Sequence, residues 1–165
     1  MPESSKITVA ASILAADFGR MADECADAIH AGADWLHLDV MDGHFVPNLT
    51  MGVDMCRAMR HHFPDTCLDV HLMVERPDLF ADQFIDAGAD ITFHWEVTRE
   101  GGGQIDAGEL IDHIRGRGAS VAVAVNPPTS VERVESLTSR LDMVLVMSVN
   151  PGRAGQKFMP EVLAK

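Results

Sequence analysis

His37, Asp39 and His71 are the side chains of this sequence best placed for chemistry. Two imidazoles and a carboxylate are donors for a divalent cation, and three protein donors leave positions open for a substrate. The alternative is three separate polar residues, each satisfied by its own hydrogen bond. Their placement near the ends of neighbouring parallel strands, all facing inward, favours a shared site. Met41, Met73 and Met147 fall at corresponding points of three strands, where they are either the wall of that site or ordinary filling. His94 and Glu96 would share one strand face and could line the same mouth or form a structural pair. His44, Phe45 and Asn48 follow in a loop, where binding residues concentrate. The loop Gly152-Arg153-Ala154-Gly155 follows a strand, and its backbone amides could cradle a phosphate. Lys157 beside it reads equally well as solvated surface.

These residues need strands to aim them. Leu36-His37-Leu38-Asp39-Val40-Met41 alternates, which puts His37, Asp39 and Met41 on one face and the aliphatics on the other. Asp42-Gly43 then signals a turn. Cys67 to Val74 alternates again, with Cys67, Asp69, His71 and Met73 sharing a face. Further strands are expected at 7–14, 91–96, 120–125 and 143–149. Helices are expected at about 19–31, 53–62, 107–117 and 131–137, with another starting at Pro77 and running to about Ala87. Ala31-Gly32-Ala33-Asp34 and Ala87-Gly88-Ala89-Asp90 echo each other, and both place a helix-ending glycine before a strand. Strands alternating with helices imply parallel βα units. At roughly 28 residues each, eight units need about 220 residues, the size of a closed (β/α)8 TIM barrel. The chain, taken as one domain over 1–165, holds about six. Met1 is expected to be a true start, and Lys165, in what reads as the start of a sixth helix, a truncation.

Composition narrows the partners. A net charge of −12 argues against nucleic acid and anionic membranes. No apolar run approaches the ~18 residues of a membrane span, and Met1–Lys6 lacks the features of a secretory leader. Three widely spaced cysteines with no CxxC pair suggest reduced thiols and a cytoplasmic location. The 47% hydrophobic content is enough for a core.

The runs Ser12-Ile13-Leu14-Ala15-Ala16-Asp17-Phe18, His37 through Asn48, Asp69-Val70-His71-Leu72-Met73 and Val146 through Gly152 together resemble the ribulose-phosphate 3-epimerase family. The resemblance covers essentially the whole chain in order. It implies a metal-dependent barrel that interconverts D-ribulose 5-phosphate and D-xylulose 5-phosphate in the pentose phosphate and Calvin routes. It further implies that His37, Asp39 and His71 hold one divalent ion, commonly zinc, with iron, manganese or cobalt as alternatives. Asp39 would be one of two acid/base carboxyls, and Ser12 and His71 would touch the substrate. Met41, Met73 and Met147 would surround the reacting carbons, and Gly152 to Gly155 would form part of the phosphate site. Inverting one carbon needs a base on one face and an acid on the other, and a divalent ion would stabilise the enediolate between them.

Two departures stand out. The family loop usually reads Pro-Gly-Phe-Gly-Gly-Gln, whereas Arg153 and Ala154 replace the Phe and the first paired Gly here. Ala154 adds a methyl and restricts positive φ, while Arg153 could compensate with charge. The family's second catalytic Asp, on a seventh strand, has no counterpart in the sequence. A small-molecule sugar phosphate is thus the expected partner, and a homo-oligomer is allowed. A sibling epimerase of a hexulose 6-phosphate and an inactive fragment are the alternatives. Phosphate-barrel decarboxylases and aldol lyases are disfavoured, because their Asp-x-Lys-x-x-Asp strand maps onto Asp39, Met41 and His44, without the Lys.

Overall fold

In the computed structural model, residues 7–165 are described; the reading of Met1–Lys6 lies outside them. Six parallel strands run in sequential order: β1 (Ala10–Ser12), β2 (Trp35–Met41), β3 (Cys67–Met73), β4 (Asp90–His94), β5 (Val121–Val125) and β6 (Met143–Val146). Between them lie α1 (Met21–His30), α2 (Val53–His62), α3 (Ala81–Asp86) and α4 (Ala107–Gly116), and a 3-10 helix, Val131–Arg140, connects β5 to β6. The sheet curls. Residues from β1 and from the end of β6 line one cavity with β2 and β3. This is the architecture of a partial (β/α) barrel, with edges at β1 and β6 among the described residues.

Alternation along each strand divides the structure into two interiors. Leu36, Leu38, Leu68, Val70, Leu72, Ile91, Phe93, Val121, Val123 and Val125 point outward and are at most 1% exposed. They pack on Met21 and Cys25 of α1, Cys56 and Met59 of α2, Phe84 of α3, and Leu110, Ile111 and Ile114 of α4. This apolar layer supplies the main burial energy, about 25 cal/mol per Å2 removed from water. The opposite face carries the polar residues. There Ala122 pairs with Thr92 and Ala124 with His94, so small side chains on β5 leave room for the imidazole on β4.

The internal echo has a clear physical role. In α1 and α3 a left-handed glycine, Gly32 or Gly88, ends the helix. The amides of Gly32 and Ala33 bond back to Ile29 and Ala28, and those of Gly88 and Ala89 to Ile85 and Phe84. Both are Schellman closures, and only glycine adopts that φ without strain. Gly118-Ala119 closes α4 in the same way, on Arg115 and Ile114, a third copy not evident from the sequence. The aspartates after the first two closures, and Asp142 ahead of β6, act as clips between strands. Asp34 accepts from the Val9 amide, Asp90 from Ser120, and Asp142 from Val121.

Several boundaries differ from expectation. β1 is three residues rather than eight, and β6 ends at Val146 rather than Val149. The segment after Pro77 opens as a 3-10 turn, Pro77–Leu79, before α3. The helix expected at 131–137 is a longer 3-10 stretch, an element whose side chains repeat every three residues rather than 3.6. β4 stops at His94, and a 3-10 turn, Trp95–Val97, takes over, so Glu96 does not lie on the strand face where alternation would put it.

Candidate active site

Register brings the donors together. β2 pairs with β3 so that Asp39 lies beside His71, His37 beside Asp69, and Met41 beside Met73. His37 Nε2, Asp39 Oδ1 and His71 Nδ1 then converge: 3.4 Å from His37 to Asp39, 3.2 Å from His71 to Asp39, and 3.3 Å between the imidazoles. Such spacings suit donors sharing one ion at about 2.0–2.2 Å. His37 turns its other nitrogen, Nδ1, to Asp69 Oδ2 at 2.8 Å, and Asp69 also accepts from the Thr92 hydroxyl at 2.7 Å. A carboxylate behind a ligating histidine fixes its tautomer and orientation. Ser12 donates to the second oxygen of Asp39 at 2.6 Å. The donor set and its outer partners therefore fit a divalent cation.

The electrostatics are those of a pre-charged cluster. Burial opposes charge on His37, but hydrogen bonds to Asp39 and Asp69 outweigh it and push the imidazole up to about 10. Burial would likewise raise Asp39, yet His37 and then His71 beside it hold its carboxyl well below the usual range. Asp69 is lowered too, burial again being outweighed, here by His37 first and then Thr92. His71 is only 1% exposed, and burial draws it down to about 4 against the pull of Asp39. The group thus holds one imidazolium between two carboxylates, and a metal would compete with that proton.

A cavity of about 400 Å3 opens above the cluster. Ser12, His37, Asp39, Met41, His71, Met73, Met147, Gly152, Arg153, Ala154 and Gly155 all line it, whereas His44, Phe45, Asn48, His94, Glu96 and Lys157 do not. Met41 and Met73 are buried together with Val46, whereas Met147 is half-exposed. The glycine loop closes the far side, tied to the loop after β2 by Asn48 Nδ2 donating to the Gly152 carbonyl at 3.0 Å. Within it, Gln156 donates to the carbonyls of Asn150 and Arg153. Gly152 and Gly155 take positive φ, and no described residue other than glycine does. Ala154 therefore sits at an ordinary φ, and the conflict expected over positive φ does not arise. Among the described residues Asp39 is the one carboxylate lining the cavity.

The sequence matches the family described as Ribulose-phosphate 3 epimerase over residues 8–165. The chain belongs to that family. It is 42% identical over 171 residues to ribulose-phosphate 3-epimerase of Eremothecium gossypii, covering 97% of this chain and 69% of the relative. To the Mycobacterium tuberculosis enzyme of the same name it is 47% identical over 158 residues, covering 95% and 65%. The chain thus spans about two thirds of the length of these curated relatives. Among solved structures, the tryptophan synthase alpha chain of Legionella pneumophila aligns with TM-score 0.57 at 17% identity, over 87% of this chain and 61% of that one. At that identity the likeness concerns the fold alone.

Two features of this epimerase-family site went beyond the sequence reading. Asp69 had been placed on the same face as His71, but its bond to His37 comes from the β2–β3 register. His94 is fully buried, and its Nε2 lies 2.8 Å from His71 Nε2. Glu96, although off the strand, still reaches His94 Nδ1 at 3.1 Å. The signal available was the pair of polar residues closing a strand adjacent to His71.

Proposed function

We propose that the chain is the greater part of a metal-dependent 3-epimerase acting on D-ribulose 5-phosphate and D-xylulose 5-phosphate. The observation that carries this is the convergence of His37 Nε2, Asp39 Oδ1 and His71 Nδ1 within 3.4 Å of one another at the floor of the cavity, in a chain of the epimerase family. A divalent ion held there, zinc first and iron, manganese or cobalt after it, would supply Lewis acidity toward the substrate's carbonyl and hydroxyl oxygens.

The residues divide the remaining work. Asp39, stripped of its proton by its environment, takes the proton from one face of C3 and leaves an enediolate, which a second acid reprotonates on the other face. Ser12 orients that carboxylate through its 2.6 Å bond. Met41, Met73 and Met147 enclose the reacting carbons in a wall with no exchangeable proton. The amides of Gly152 to Gly155 face the phosphate, and Arg153 adds positive charge at the loop. The opposite face of C3 needs a second acid, which lies outside the residues lining this cavity. Reduced thiols suit a cytoplasmic setting, and Cys25, Cys56 and Cys67 are all free.

The test is conversion of D-ribulose 5-phosphate in D2O, with and without added zinc, by this chain and by a form extended through eight strands. Zinc-dependent incorporation of deuterium at C3 is expected in the extended form. Its absence from both forms after zinc loading would overturn the assignment.

A further inference from the structure

Behind the donor cluster runs a line of hydrogen bonds that reaches no solvent until its far end. Glu96 Oε1 accepts from the Asn126 backbone amide at 2.8 Å and from the Thr129 hydroxyl at 2.5 Å. Its other oxygen, Oε2, is 3.1 Å from His94 Nδ1. His94 Nε2 is in turn 2.8 Å from His71 Nε2. The His71 and His94 rings are 19° from coplanar with centroids 4.9 Å apart. With the two nitrogens at 2.8 Å, the rings must meet edge to edge in nearly one plane. Phe45 lies against His94 with centroids 4.6 Å apart, and His71 and His94 are 1% and 0% exposed. The two imidazoles are thus shielded, and only the Glu96 end of the line, 18% exposed, meets solvent.

The protons along it are fixed by elimination. A backbone amide only donates, so Oε1 is occupied as an acceptor, and the carboxylate offers His94 nothing but a second acceptor. His94 Nδ1 must therefore carry its proton. In neutral His94 that leaves Nε2 bare, so the proton between the two imidazoles belongs to His71 Nε2. His71 Nδ1 is then bare: it can accept from His37 Nε2 at 3.3 Å and makes no bond to Asp39, 3.2 Å away.

We propose that Glu96 and His94 are positioning residues, a two-membered relay that sets the tautomer of His71 so that Nδ1 presents its lone pair to a divalent cation. The inference rests on the metal-site reading above. It differs from the carboxylate–histidine pairing of Asp69 and His37 in acting through a second imidazole. It also gives Glu96 a role that its place outside β4 would not suggest.

The relay predicts a substitution that should reverse it. In Glu96→Gln the atom facing the Asn126 amide must be the amide oxygen, because an NH2 group cannot accept. The NH2 then faces His94 Nδ1 and requires it to be bare. The His94 proton moves to Nε2, and the His71 proton is driven to Nδ1, into the metal position. Zinc affinity, measured by chelator competition on the full chain, should fall 10- to 100-fold. In the metal-free protein the 15N shifts of His71 should switch from the Nε2–H to the Nδ1–H pattern. The double variant His94→Gln/Glu96→Gln restores an amide that can turn its oxygen to His71 Nε2–H, and should recover most of the affinity.

A purely structural Glu96 would lower the unfolding midpoint in Glu96→Gln while leaving zinc affinity and the His71 tautomer as in the unmodified chain. That result would overturn the relay. If the unmodified chain fails to take up zinc, the metal-site reading falls instead. The 15N comparison still decides the relay, since it needs no metal.

Discussion

Replacing Gly152 by Ala loads two separate costs onto the loop that closes the cavity. Gly152 sits at φ 117°, in the left-handed half of the map, where an L-residue is disfavoured by about 1–2 kcal/mol. A Cβ there would also lie 3.2 Å from Val46 Cβ. Val46 is 4% exposed and packed with Met41 and Met73, so it has little room to yield, and crowding of this kind costs about 1–2 kcal/mol more. The sum is about 2–4 kcal/mol. Urea unfolding of Gly152→Ala, Val46→Ala and the double variant would separate the parts. The coupling between the two sites should stay below about 1 kcal/mol, because Val46→Ala removes the Cγ atoms at 3.5 and 3.8 Å, keeps the Cβ at 3.2 Å, and leaves the φ as it was. If about 1.4 kcal/mol of the strain bears on the bound form of the loop, inorganic phosphate should bind roughly tenfold more weakly by calorimetry. A Gly152→Ala variant within about 0.5 kcal/mol of the unmodified chain would refute the reasoning. So would complete recovery on adding Val46→Ala.

Met73→Ala, at a position 1% exposed, should cost about 2–5 kcal/mol in urea unfolding, whereas Met73→Leu should cost less than about 1.5. Glu96 is half-buried, which would raise it, but bonds from His94, Thr129 and Asn126 bring it down to about 2. Its folded value is therefore depressed, so its contribution is complete above the ordinary glutamate range near 4.5 and is lost as pH falls through about 2. The Asn126 amide shift should titrate with a midpoint near 2, and a midpoint near 4.5 would contradict the bonding described. Asp90→Ala removes the acceptor for the Ser120 amide; it should cost about 1–2 kcal/mol and speed hydrogen exchange at Ser120 while leaving Trp35 and Leu36 as they were.

Much of this was legible because alternation along a strand is a local property. The run from Leu36 to Met41 shows which side chains share a face, and the β2–β3 register, which the structure supplies, then brings Asp39 to His71. Hence the donors, the methionines and the glycine loop were all identifiable from residue type and order. The strand ends were not. β4 gives way to a 3-10 turn at Trp95, a change set by packing around Glu96 and Arg133 over Trp95 rather than by propensity. The contact between His94 and His71 depends on small residues, Ala122 and Ala124, lying on the next strand. Periodicity identifies a face but not the size of the gap across it.

The bond from Asn48 to Gly152 joins segments 104 residues apart, whereas the donor cluster is built from strands some thirty residues apart. Closing the longer loop carries the larger entropic cost, and contacts of high sequence separation slow folding. On a growing chain, β2 and β3 can therefore pair before β6 has been made. The floor that carries His37, Asp39 and His71 would be present first, open to its surroundings, and the mouth over it would be completed after β6.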